Sequence, residues 1–289
     1  HIAQPICWIT EDDITSKMKT QFSTLYLYET RKDLWGDQVT NEASLFEGQE
    51  KPAYTTLYYY EDYKLIKTED FPSIVTNTKK LSYDNAHNFE YAERLNIFTQ
   101  ELTKIKDYHE LVSYWMLLTN KTIGNKFAEA NKKIPYRVNS EKLSFENQEF
   151  ESLSLDITNK FSSKKIEAAS YSIDDNRHAT LNVENYCLFT SPIRRLIDTY
   201  IHYYLTYCFD TNILDFDCIS MNYLDQQTKK FHRELELNKS INLIFEKSNI
   251  CDAVGYIYQF ISNNVIEVYL LPINGHEIGF VKVKLYHHK

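Results

Sequence analysis

The rhythm of apolar and polar positions changes several times along the chain. Up to about residue 80, short apolar runs alternate with turn residues. The runs 2–10, 22–28 and 54–60, rich in Tyr, Thr and Ile at a period of two, predict strands. From Asn88 to about Lys133 the spacing becomes three or four residues, with Leu111, Trp115, Leu118 and Thr122 on one stripe, which predicts helix ended by Pro135. Residues 140–185 are mixed, polar around 159–165, with a turn expected at Asp174-Asp175-Asn176.

The clearest helix is expected from Thr190 to about Phe209, where Ile193, Leu196, Ile197, Tyr200, Ile201, Tyr204, Leu205 and Cys208 share a face. Another is expected from Asp225 to Glu246. The last forty residues then read as three strands, 253–261, 265–271 and 280–286. Helices and strands in this order define an α/β (α+β) fold class. Neither end has the polar tail usual at a domain edge, which suggests a piece of something longer.

Composition narrows the function classes. The 289 residues are 43% hydrophobic, 15% aromatic and 25% charged, enough for a substantial core. The formal charge of −8 argues against a protein that coats nucleic acid through bulk charge, while leaving room for a focused basic pocket. No run approaches the roughly 18 apolar residues of a membrane span, and no secretory leader is visible. A soluble, cytoplasmic protein with no membrane role is expected. Five scattered cysteines form no C-x-x-C pair, so buried reduced thiols are expected rather than structural zinc.

The chemistry concentrates at Thr190-Ser191-Pro192-Ile193-Arg194-Arg195. Ser191 suits a helix N-cap and Pro192 the first helical position. A helix N-terminus offers free N–H donors and partial positive charge, and a guanidinium matches phosphate oxygens two-pronged. By spacing alone Arg194 or Arg195 could equally pair with Asp198, and both readings stay open here.

Residues 186–198, Y-C-L-F-T-S-P-I-R-R-L-I-D, followed by Ile201-His202, closely resemble the signature Y-T-H-F-T-S-P-I-R-R-Y-x-D…V-H of the ribonuclease II/R (RNB) exoribonuclease family. Collinear, weaker matches support it. They are His1-Ile2-Ala3, Phe22 to Leu27, Ser44-Leu45 with Gly48, Leu81-Ser82-Tyr83-Asp84-Asn85-Ala86, Met116-Leu117-Leu118-Thr119-Asn120, Ala169-x-Tyr171 and His178-x-x-Leu181. The resemblance implies an RNB catalytic domain over residues 1–248, lacking its first strands. Residues 249–289 would begin an OB-type RNA-binding barrel, whose full form needs five strands.

It also implies 3′→5′ hydrolysis of single-stranded RNA to nucleoside 5′-monophosphates with Mg²⁺. Arg194 would be the catalytic phosphate contact, with Ser191 and Arg195 beside it, and Tyr26 and Tyr83 would pack the 3′-terminal nucleotides. The family's metal site is a cluster of four aspartates just before H-I-A-D, so the magnesium ligands are expected upstream of His1 and none in this chain. Glu11-Asp12-Asp13 and Asp174-Asp175 are expected in solvated turns.

Four positions depart from the pattern: Gln4 for Asp, Leu188 for His, and Ser113 and Tyr114 for two glutamates. His202 and His178 are expected to make structural hydrogen bonds. The resulting expectation is an exoribonuclease whose isolated chain is inactive. The alternative is a degenerate RNB domain that binds RNA or a protein partner without cutting it.

Overall fold

The computed structural model describes residues 1–139, 160–161, 168–209, 216–245 and 252–285. They divide into two compact units. The first holds residues 1–25, 32–139, 168–209 and 216–225; the second holds 26–31, 160–161, 226–245 and 252–285. The boundary expected at 248/249 lies outside the described residues, as do the expected element ends at Glu246 and Tyr286 and most of the polar stretch 159–165.

In the first unit the expected strand 2–10 shrinks to β1 (Ile2–Ala3), followed by a 3₁₀ turn at Pro5–Trp8. Pro5 has no N–H for a ladder and leads that turn. Glu11, Asp12 and Asp13 do not lie in a turn. They open α1 (Glu11–Met18), where Thr10 and Asp13 exchange capping hydrogen bonds. Those bonds from Thr10 hold the Asp13 carboxyl below its ordinary value.

The expected strand 22–28 survives only as β2 (Leu25–Tyr26), paired with β3 (Arg31–Lys32); α2 (Gly36–Ala43) follows. The run 54–60 lies inside β4 (Glu50–Glu61), which pairs antiparallel with β1 and along its whole length with β5 (Lys64–Thr76). Asp62 and Tyr63, both at positive φ (47° and 60°), form the two-residue turn whose twist suits a hairpin.

The single long helix expected over 88–133 is two, α3 (Glu90–Thr103) and α4 (Tyr108–Glu129). Lys104 turns left-handed to end the first (φ 67°). Asp107 then caps the second, accepting from the N–H groups of His109 (2.7 Å) and Glu110 (3.1 Å). Short antiparallel ladders follow, β6 (Tyr136–Val138) with β7 (Ser170–Ser172) and β8 (Arg177–His178) with β9 (Val183–Glu184). Asp174 and Asp175 lie in the expected turn, their N–H groups donating to Ser172 Oγ at 3.2 and 3.0 Å.

The helix expected from Thr190 starts six residues later, as α5 (Leu196–Tyr203), and continues through a π-helical stretch, Tyr204–Cys208. Strand-type pairing overrides the capping signal. Arg195 is extended (φ −131°, ψ 126°) and bridges antiparallel to Ser23. The Leu196 N–H donates to Phe22 O (2.9 Å) and the Thr24 N–H to Arg194 O (3.0 Å). Ser191 is therefore not the N-cap, nor Pro192 the first helical residue.

α5 is also buried all round rather than along one stripe, from Leu196 through His202. With Ile14, Leu34, Ile123, Phe127 and Phe189 it forms the centre of one core. Each such aliphatic side chain contributes about 1.5–3 kcal/mol by leaving water.

Helix α6 (Cys218–Phe245) begins seven residues before the expected start, because Asp217 caps it through the N–H groups of Ile219 and Ser220 (both 3.0 Å). In the second unit β10 (Gly255–Ser262), β11 (Val265–Leu270) and β12 (Gly279–Lys284) form the expected three-strand meander. Its small core packs Phe161 and Tyr269 with Tyr258, Leu271 and Phe280.

Of the cysteines, only Cys187 is fully buried among the described residues. Cys7 is exposed, and Cys208 and Cys218 are half-buried, so the expectation of buried thiols fails for Cys7. Among the described residues no helix is long and apolar enough to cross a membrane.

Candidate functional site

The turn at 190–195 is held from four sides within the first unit. The Ser191 N–H donates to Asp198 Oδ1 (2.8 Å), and the same oxygen accepts from Arg195 Nη2 (2.7 Å). The Pro192 carbonyl receives the Thr199 hydroxyl (2.6 Å) and the Trp35 indole N–H (3.2 Å). The N–H groups of Arg194 and Arg195 both reach back to Ser191 O (3.2 and 3.1 Å), closing the turn on itself. Behind it, Asn120 of α4 accepts the Phe189 N–H on Oδ1 (2.9 Å), donates to the Tyr186 hydroxyl (3.1 Å) and takes the Cys187 thiol on its carbonyl (3.3 Å). From α5, the His202 Nε2–H donates to Phe189 O (2.9 Å), and its ring lies flat on Phe189 at 3.7 Å.

The two adjacent arginines therefore differ in kind. Arg195 is bound to the fully buried Asp198. Burial works against its charge, and the carboxylate, with Tyr171 and Tyr186, raises its pKa above the ordinary value all the same. That settles the ion-pair alternative for Arg195. Arg194 is exposed, and its side chain has no partner among the described residues. A fixed turn thus presents one free guanidinium to solvent. The Ser191 hydroxyl beside it makes no hydrogen bond among the described residues.

The other expected contacts are exposed aromatics. Tyr83, 45% exposed, stacks on the imidazole of His109 at 3.5 Å between ring centres. Tyr26, also 45% exposed, belongs to the second unit, where its N–H donates to His232 Nε2 at 3.1 Å. Arg194 and Tyr83 share the first unit but form no contact with each other among the described residues.

A cavity of about 1130 Å³ in the second unit holds none of the expected site residues. It mixes Lys230, Arg233 and Lys282 with Glu234, Glu236 and Glu267.

Both histidines have structural surroundings. Burial pushes the pKa of His202 down to about 3, so it stays neutral while donating to Phe189 O. His178 accepts the Leu181 N–H on Nδ1 (3.4 Å), and its pKa is also lowered by burial.

The departures have local explanations. Gln4 is buried and donates to Thr206 Oγ1 (3.2 Å), Leu188 is buried, Ser113 is exposed, and Tyr114 packs edge-on against Trp115. Among the described residues no three His, Cys, Asp or Glu side chains gather as a metal ion requires. The described carboxylates therefore do not fit a magnesium centre.

Sequence reasoning missed Trp35, Asn120 and Thr199 as the groups that fix the turn. Only Asn120 carried a signal, since it falls within a matched segment.

Residues 89–209 match the RNB domain family. No curated protein matches the chain in sequence. Among solved structures, RNase R of Mycoplasma genitalium, determined with ribose-methylated single-stranded RNA, superposes with a TM-score of 0.76 at 15% identity, covering 96% of this chain and 57% of that one. Dss1 exoribonuclease of Candida glabrata gives 0.72 at 19% identity, covering 98% and 46%. Yeast Ssd1, described as a pseudonuclease, gives 0.70 at 14%, covering 96% and 44%. The chain thus spans about half the length of these proteins. Residues 89–209 thus match the RNB domain family, and the chain shares its fold with RNase R and Dss1.

Proposed function

We propose that this chain is the RNA-holding part of a 3′→5′ exoribonuclease and that Arg194 binds the phosphate next to the bond to be cut. One observation carries the reading. Of two adjacent arginines on a locked turn, Arg195 is neutralised by buried Asp198, while Arg194 points free into solvent. Its fork of donors suits two phosphate oxygens and the charge that develops there. Ser191 adds a hydroxyl, Arg195 positions the turn through Asp198, and in the same unit the exposed ring of Tyr83 offers sequence-tolerant stacking for a 3′-terminal nucleotide; Tyr26, in the second unit, carries an exposed ring of the same kind. The single-stranded RNA bound to the structurally similar RNase R agrees with this substrate.

Magnesium would hold the phosphate and activate water in the intact enzyme. We place its ligands ahead of His1, so this chain alone binds RNA without releasing mononucleotides.

The test is fluorescence anisotropy with a labelled single-stranded RNA. Arg194→Ala should weaken binding at least tenfold, the scale of one charge-assisted hydrogen bond. It should also lower the slope of log K against log salt by about 0.7, the share of one phosphate contact on a single strand. Unchanged affinity and slope would refute the reading.

A second reading is a degenerate domain that binds RNA or a protein partner without cutting. It is favoured by Ser113 and Tyr114, which bring no carboxylate to α4, and by the net charge of −8, which suits a protein partner. The coding sequence upstream of His1 separates the two, since only the enzyme needs closely spaced aspartates there.

A further inference from the structure

We propose that Trp35 is a positioning residue for Arg194, an inference that rests on Arg194 being the phosphate contact. Trp35 stands just before α2, and its half-buried indole N–H donates to Pro192 O (3.2 Å) and to Thr199 Oγ1 (3.1 Å). The Thr199 hydroxyl itself donates to the same Pro192 carbonyl (2.6 Å). That carbonyl lies two residues before Arg194 and receives two donors, one from α5 and one from the segment leading into α2.

The same segment reaches the turn by a second route. The Leu34 N–H donates to Thr24 Oγ1 (3.2 Å), and the Thr24 N–H donates to Arg194 O (3.0 Å). Residues 34 and 35 thus tether both Pro192 and Arg194.

This arrangement separates positioning from stability. Without the indole N–H, Thr199 still satisfies the Pro192 carbonyl, so no buried acceptor is left bare and the cost to folding is small. What is lost is the lateral tether that fixes where the turn stands. A guanidinium a fraction of an ångström out of place forfeits two-pronged contact with a phosphate.

The experiment uses the same RNA anisotropy assay on four proteins: the parent, Trp35→Phe, Arg194→Ala and the double variant. Trp35→Phe keeps a ring and loses the donor; it should weaken binding about fivefold, the worth of one neutral hydrogen bond. On the Arg194→Ala background it should change binding no further. Trp35→His, which restores a ring N–H, should recover part of the loss. If Trp35→Phe melts well below the parent, benzothienylalanine at position 35 keeps the ring shape without the N–H and gives the same comparison.

An Arg194→Ala variant that binds like the parent overturns the phosphate reading and this inference together. If Arg194→Ala weakens binding but the Trp35 variants do not, only the role of Trp35 falls. The same holds if Trp35→Phe costs as much on both backgrounds, because Trp35 then acts independently of Arg194.

Discussion

Removing the carboxylate of Asp198 tests whether the turn is built as described. Asp198 is fully buried and Arg195 keeps 21% of its side-chain surface. Asp198→Ala strands a mostly buried guanidinium, a loss of about 3–5 kcal/mol when one partner of a buried pair goes. The exposed fifth of Arg195 can hydrate, which favours the lower end, about 3 kcal/mol. The Ser191 N–H also loses its acceptor, adding about 1 kcal/mol. A total near 4 kcal/mol corresponds to a fall in Tm of roughly 8–16 °C for a unit of this size.

Urea titration followed by tryptophan emission is the suitable assay, because Trp8, Trp35 and Trp115 all lie in the first unit. The double change Arg195→Met with Asp198→Leu removes both charges and should recover at least half of the loss. A single variant within 1 kcal/mol of the parent would show that the pair is hydrated and does not hold the turn.

Two further outcomes follow from the core. The folded-state pKa of His202, about 3, lies below the ordinary 6.5, so the unfolded chain takes up the proton first. Stability from this group is complete above about pH 6.5 and is lost as pH falls toward 3, amounting to about 2 kcal/mol by pH 5. Urea midpoints at pH 7 and 5 should differ accordingly, and His202→Gln should flatten the difference; an unchanged slope in the variant assigns the effect elsewhere. A Cβ at Gly124 would stand 1.7 Å from the carbonyl oxygen of Asn185, so Gly124→Ala should cost more than about 3 kcal/mol or yield insoluble protein. Parent-like melting of Gly124→Ala would contradict that close approach.

Period and punctuation revealed the strand 54–60, the meander and the helical character of 88–133, because β-branched and aromatic runs bounded by turn residues, and apolar residues recurring every three or four positions, are local signals. β5 was not legible. Its hairpin turns on Asp62-Tyr63 instead of the usual Asn-Gly, and its polar, edge-strand pattern carries little alternation. The break between α3 and α4 was readable in principle from Asp107, a good N-cap, but no glycine or proline marks it. The late start of α5 was not readable at all, since Ser191-Pro192 is a strong local signal overruled by a bridge to Ser23. Arg194 and Arg195 were found as a pair. Only the burial of Asp198 tells which of them is spent and which is free.

The bonds that fix the turn have a temporal consequence. Trp35 meets Pro192 and Thr199 across 157 and 164 residues of chain. Closing a loop of that length costs about 4–5 kcal/mol in chain entropy before any contact repays it. During synthesis residues 22–35 leave the ribosome long before their partners exist, and α3 and α4 can form in the interval from local contacts alone. The guanidinium handle is therefore among the last parts of the first unit to assemble. On the proposed role of Arg194, affinity for RNA would then report on completed folding and be absent from any nascent chain that has not yet delivered residue 199.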